Sequence, residues 1–101
     1  MNEIKTHNYF VYIMTNITNN VMYIGVTNNI IRRVYEHKKE LLEGFTKKYK
    51  VKKLIYYEIY NDINTAIERE KQLKKWNKNW KLRLIKKENK NLQDLYEYII
   101  K

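Results

Sequence analysis

Two short β-prone runs, residues 9–14 (Tyr-Phe-Val-Tyr-Ile-Met) and 21–26 (Val-Met-Tyr-Ile-Gly-Val), flank an asparagine-rich segment from Asn16 to Asn20. Apolar runs of this length separated by turn-forming residues predict a β-hairpin. With an even loop centred near Ile17 and Thr18, Tyr12 faces Tyr23 and both phenols lie on one face of the sheet. Thr27-Asn28-Asn29 then offers N-caps for a helix running to about Glu43 and stopped by Gly44. On that helix Ile30, Ile31, Val34, Leu41 and Leu42 form an apolar face, Lys38 has to snorkel to solvent, and Arg33 and His37 stack one turn apart on its edge. Residues 45–50 read as a loop and Val51 to Tyr60 as a third strand, ended by Asn61-Asp62.

A second helix is predicted from about Asn64, with Ile63, Ala66, Ile67 and Leu73 as its apolar stripe. Glu70 falls inside that stripe, whereas Glu68 points outward. An inward carboxylate costs several kcal/mol unless a cation or hydrogen-bond donors compensate, so Glu70 needs a partner, either a metal ion or an arginine such as Arg33. Beyond it the chain turns basic, with Lys71, Lys74, Lys75, Lys78 and Lys81 leading the run and Trp76 and Trp80 interleaved. Cations alternating with indoles suit phosphate contact combined with base stacking, although such runs also serve as solvated faces. Leu92, Leu95, Tyr96, Ile99 and Ile100 recur at helical spacing, which predicts residues 89–101 as a C-terminal helical extension.

Composition narrows the function. A chain of 101 residues with neither repeat nor proline is expected to form one domain, residues 1–101, and to act as a monomer. Twenty-one Lys and Arg against eleven Asp and Glu give a formal charge of +10, which points to a polyanionic partner. No apolar run approaches the roughly 18 residues of a membrane span, and the first eight residues lack the apolar centre of a secretion signal, so a cytoplasmic location is expected. Without cysteine, metal ligands must come from histidine and carboxylates.

Five positions in order carry a more specific pattern: Phe10-Val11-Tyr12, Tyr23-Ile24-Gly25, Arg33, His37 and Glu70. Their identity and spacing resemble the GIY-YIG nuclease superfamily, in particular small standalone domains similar to the nuclease module of the bacterial excision-repair incision protein. Phe10 departs from that pattern, standing where the family's first tripeptide has glycine. The resemblance implies an α/β fold, a small mainly antiparallel three-stranded sheet flanked by helices. It also implies a metal-dependent endonuclease acting on nucleic acid, DNA foremost, in repair or recombination. The alternative is a non-catalytic DNA- or RNA-binding module of the same fold, and a targeting partner is compatible with either.

Within the resemblance, Tyr12 is the general base, Tyr23 supports the water or phosphate, Arg33 clamps phosphate oxygens and His37 is a second donor or proton relay. Glu70 would hold one Mg²⁺ (or Mn²⁺), an ion that commonly takes only one or two protein carboxylates. Gly25 is structural at the site, admitting a close approach. A phenol can act as base only where positive charge stabilises its phenolate.

Overall fold

A computed structural model describes residues 8–101. The leader reading rests on the N-terminal residues, of which 1–7 lie outside the described residues. The sequence's apolar runs form β1 (Tyr9–Thr15), β2 (Met22–Thr27) and β3 (Lys53–Tyr60), an antiparallel sheet in the order β2-β1-β3. The helices are α1 (Ile30–Lys38), α2 (Phe45–Lys48), α3 (Ile63–Lys75), α4 (Lys78–Glu88) and the single turn α5 (Tyr96–Ile99). Among the described residues no helix is long and apolar enough to cross a membrane.

Central β1 is buried from Val11 through Thr15, as its unbroken apolar run requires of a strand covered on both faces. One face carries Val11, Ile13 and Ile24, packed against Ala66 and Leu73 of α3 and Ile85 of α4. The other carries Tyr12 and Met14 against Ile30 and Val34 of α1. Each of the longer helices begins on a side-chain cap that satisfies an otherwise free amide. Asn29 accepts from the Arg32 amide, Asp62 from Thr65 and Asn77 from Trp80.

The hairpin register differs from the expected one by two residues: Tyr12 pairs with Gly25, and Tyr23 with Met14. Asn19 adopts a left-handed conformation (φ 62°), and the Asn16 carboxamide oxygen accepts from the Asn20 and Val21 amides, which moves the centre of the turn forward. A two-residue shift preserves side-chain parity, so both phenols still share a face.

Helix α1 is shorter than expected. Glu40 takes a left-handed φ of 57°, its amide donates to His37 O and the Leu41 amide to Glu36 O, a terminating turn in which glycine is the usual residue. Leu41 therefore leaves the predicted apolar face and is 61% exposed. Gly44 (φ 111°) caps the start of α2 instead of ending α1. The predicted 45–50 loop thus contains a helical turn that buries Thr46.

Lys38 is ion-paired to Asp94, and Asp94 also accepts from the Leu54 amide. The tail from residue 89 is not one continuous helix. Asn89 Nδ2 donates to Ile55 O and Gln93 O, and the Leu95 amide donates to Leu54 O, so this segment runs along β3 before the α5 turn.

Candidate active site

The sheet face covered by α1 gathers five of the candidate residues, Tyr12, Tyr23, Gly25, Arg33 and His37. Tyr12 on β1 and Tyr23 on β2 have ring centroids 6.2 Å apart, and the His37 imidazole from α1 lies against both, at 5.9 Å and 5.4 Å. Directly across from Tyr12 is Gly25, where an added Cβ would lie 2.6 Å from the Tyr12 hydroxyl oxygen and 2.7 Å from Cζ. The absent side chain makes the space that the phenol occupies.

Tyr12 is fully buried, and its hydroxyl lies 3.0 Å from His37 Nε2. His37 Nδ1 in turn lies 2.9 Å from the Thr46 hydroxyl. A neutral imidazole has one donor and one acceptor nitrogen, so the three groups form a directional chain, Tyr12–His37–Thr46, that fixes the ring. Sequence reasoning missed Thr46: one threonine in a polar segment carries no periodic signal, and only the α2 turn brings it beneath the imidazole.

Burial pushes the Tyr12 phenol above its ordinary range, as does the neighbouring Tyr23, while the Arg33 guanidinium opposes the rise. Burial, reinforced by Arg33, lowers His37 from 6.5 to about 4, with Glu36 acting weakly the other way. Both groups in the chain are therefore neutral at pH 7. For His37 the unfolded state binds more protons than the folded state between pH 6.5 and 4. Its contribution is full above that window and is lost as pH falls through it. Roughly 2 kcal/mol of stability should disappear there, after allowance for screening by nearby solvent. His37→Gln, which retains hydrogen-bonding capacity but does not titrate, should flatten this part of a melting-temperature profile; an unchanged slope would remove His37 as its source.

Arg33, one turn before His37, supplies the site's positive charge. Its Nε is buried and makes no hydrogen bond; the Glu36 carboxylate lies 3.3 Å away, near enough for charge attraction but not aligned to accept the proton. An orphaned buried donor is costly and invites an anion with suitable geometry. Tyr23 is half-buried and faces the exposed Phe45 in a stacked arrangement with centroids 6.2 Å apart.

Glu70 comes from α3, which packs on the other face of the sheet, and it neither hydrogen-bonds nor ion-pairs with these residues. Its side chain is 18% exposed, and Oε2 pairs with Lys74 Nζ at 2.9 Å rather than with Arg33. The rotation of α3 is fixed by Arg69, whose Nε and Nη2 each lie 2.9 Å from the Glu58 carboxylate of β3. At roughly 100° per residue, Ala66 and Leu73 mark the inward direction, Arg69 lies toward β3, and Glu70 falls on the opposite flank, toward edge strand β2.

No cluster of three or more His, Cys, Asp or Glu side chains exists among the described residues, so any divalent ion held here has a sparse protein ligand set. Glu70 fits Mg²⁺ on that basis: it is a hard carboxylate at the solvent boundary, and its partner Lys74 is an exposed, flexible cation that an ion can displace. Lys71, Lys74, Lys75 and Lys78 are exposed on α3 and α4, and Lys81 is half-buried.

A family model described as the GIY-YIG catalytic domain matches residues 8–93. A UPF0213 protein of Pediococcus pentosaceus is 31% identical over 93 residues, covering 92% of this chain and 98% of its own. A UPF0213 protein of Staphylococcus aureus is 32% identical over 78 residues, covering 77% and 94% respectively. The solution NMR structure of a UPF0213 protein from Bacillus halodurans matches with a TM-score of 0.56 over 89% of this chain and 95% of that one, at 19% identity, a likeness of fold.

Proposed function

We propose, because this chain belongs to the GIY-YIG family, that it is a metal-dependent endonuclease hydrolysing nucleic-acid phosphodiester bonds, DNA foremost. Family membership implies a nuclease fold and a nucleic-acid substrate; the scissile chemistry is argued from the site. The observation that carries it is Arg33: a buried Nε without a hydrogen-bond acceptor, set beside two phenols and a neutral imidazole. A phosphate oxygen supplies both the missing acceptor and the negative charge.

Burial alters the division of labour between the tyrosines. A group that takes a proton from water must touch water, and Tyr12 has no exposed surface. Tyr23, half-buried on the same sheet face, is the better general base toward the attacking water, while Tyr12, held by His37, fixes its position. Arg33 binds the phosphate oxygens and balances the charge that grows on them. Glu70 would hold one Mg²⁺ or Mn²⁺ ion, which supplies positive charge for the phosphate and the departing oxygen. Work in DNA repair or recombination, a single-domain monomeric state and a cytoplasmic setting belong to the same proposal.

One observation favours a second reading, a nucleic-acid-binding module that does not cut: Glu70 is paired with Lys74 and comes from the layer opposite the tyrosines. Both readings expect binding to weaken by orders of magnitude between about 50 and 200 mM salt, because the exposed lysines act through counterion release. They separate on scission. Incubated with labelled single-stranded, branched and duplex DNA, the protein should cut with Mg²⁺ or Mn²⁺ and not with EDTA, and Arg33→Ala should lower the rate by about 100-fold or more. Salt-sensitive binding without any metal-dependent cutting would establish the binding module instead.

A further inference from the structure

The C-terminal cap of α3 and the face of α4 from Trp80 to Lys87 line an open cavity of about 200 Å³, formed by Trp76, Trp80, Arg83, Leu84 and Lys87. The two indoles stand nearly perpendicular, 83° between planes and 5.9 Å between centroids, so they make a corner with one ring face and one ring edge. Arg69 covers Trp76 at 5.3 Å, and Trp76 packs against the core, which holds that wall in place. Trp80 is 51% exposed, an unusual placement for so large an aromatic side chain.

We infer that this corner is a binding site for one unstacked nucleobase of a single-stranded or branched nucleic acid, with Arg83 and Lys87 on the flanking phosphates. The inference rests on the nucleic-acid reading above and adds the substrate class. Size is the first argument, since the cavity is below the roughly 300–1,000 Å³ of pockets that enclose a drug-sized ligand and suits a single flat ring system. Shape is the second: a base laid on one indole meets the edge of the other, and aromatic stacking serves any base because every base has a π face.

Charge is the third. Two of the five lining residues are cations, and α4 carries Lys78, Lys81, Arg83, Lys86 and Lys87 against Glu88 alone. An apolar peptide gains nothing from such a rim, whereas a phosphate backbone does. The corner is separate from Glu70: Trp76 caps α3 six residues later, about 9 Å along the axis at 1.5 Å per residue, and lies on the flank that Arg69 occupies. In a continuous duplex every base is already stacked and paired, so only unpaired nucleotides can enter.

The test uses the full chain in EDTA, so that nothing is cut, with two probes: a single-stranded oligodeoxythymidylate of about 12 nucleotides and a hairpin-closed duplex of similar charge. Indole emission should be quenched by the single strand. Trp80→Ala should weaken single-strand binding about tenfold or more while changing duplex binding less than about twofold, and Trp80→Phe should recover most of the loss. Trp80 is exposed, so these variants keep the core intact, which circular dichroism checks. Unchanged single-strand affinity in Trp80→Ala, or equal losses on both probes, overturns the inference and leaves the nucleic-acid reading standing. A wild-type protein that binds neither probe at low salt overturns that reading as well.

Discussion

Glu70→Gln is expected to abolish metal-dependent cleavage, by about 100-fold or more, while leaving the fold and nucleic-acid binding intact. The structure makes this a clean separation of chemistry from stability. Glu70 pairs with Lys74 four residues on, and Lys74 is 54% exposed. Such i,i+4 pairs contribute only about 0.3–0.5 kcal/mol, because solvent screens the attraction and two long side chains lose freedom. Removing the charge therefore shifts the melting temperature by no more than a few degrees in a chain of this size. Had Glu70 been buried against Arg33, neutralising it would have stranded a desolvated guanidinium at a cost of roughly 3–5 kcal/mol. Glu68→Gln, exposed on the same helix, is the control and should change neither property. Cleavage rate against Mg²⁺ concentration and a thermal melt, measured on both variants, settle the point: a folded Glu70→Gln protein cutting at the wild-type rate removes Glu70 as metal ligand.

What local pattern encodes was readable from the chain. The hairpin, a cap for α1 within Thr27-Asn28-Asn29, the third strand and a second helix from about Asn64, one residue after its observed start, depend on residues within one turn or one strand of each other, and each has its own sequence signal. The side-chain parity that sets Tyr12 and Tyr23 on one face survived a mistaken register, because a two-residue slip leaves faces unchanged. Partners distant in sequence were not readable. Lys38 meets Asp94 across 56 positions, and Glu58 engages Arg69, Tyr56 and Tyr60 in a network with no motif of its own. The end of α1 was missed for a different reason: Glu40 adopts the left-handed conformation that glycine usually marks, and its carboxylate is compensated by Lys50 and Lys52 at 3.3 Å and 2.8 Å. Thr46 could be found only once that early stop had been seen. The wheel sets Glu70 inside the apolar stripe of α3 and points to a metal ion or Arg33 as its partner, whereas it lies on the flank of that stripe and pairs with Lys74 one turn on.

Gly25→Ala should be the most damaging single-methyl change in the chain, and the reason is steric rather than conformational. Of the two glycines, Gly44 has a left-handed φ and open space around it, whereas Gly25 has ordinary extended-strand backbone and a phenol in front of it. A methyl there would meet the Tyr12 hydroxyl oxygen at 2.6 Å, Cζ at 2.7 Å and Cε1 at 2.9 Å. A flexible, exposed side chain would swing away at little cost. Tyr12 cannot, because it is fully buried, packs beside Met14 and Val34, and has its hydroxyl held by His37. Overpacking of this kind costs about 1–3 kcal/mol, or roughly 4–20 °C of melting temperature for a chain near 100 residues. The same displacement breaks the Tyr12–His37 hydrogen bond, so cleavage should fall further than the stability loss alone explains. Tyr12→Phe removes the atom nearest the new methyl, so the Tyr12→Phe/Gly25→Ala double variant should be more stable than the sum of the two single losses predicts, by about 0.5 kcal/mol or more. Strict additivity, or a Gly25→Ala protein that melts with the wild type, would mean that the space at Gly25 is not what seats the phenol.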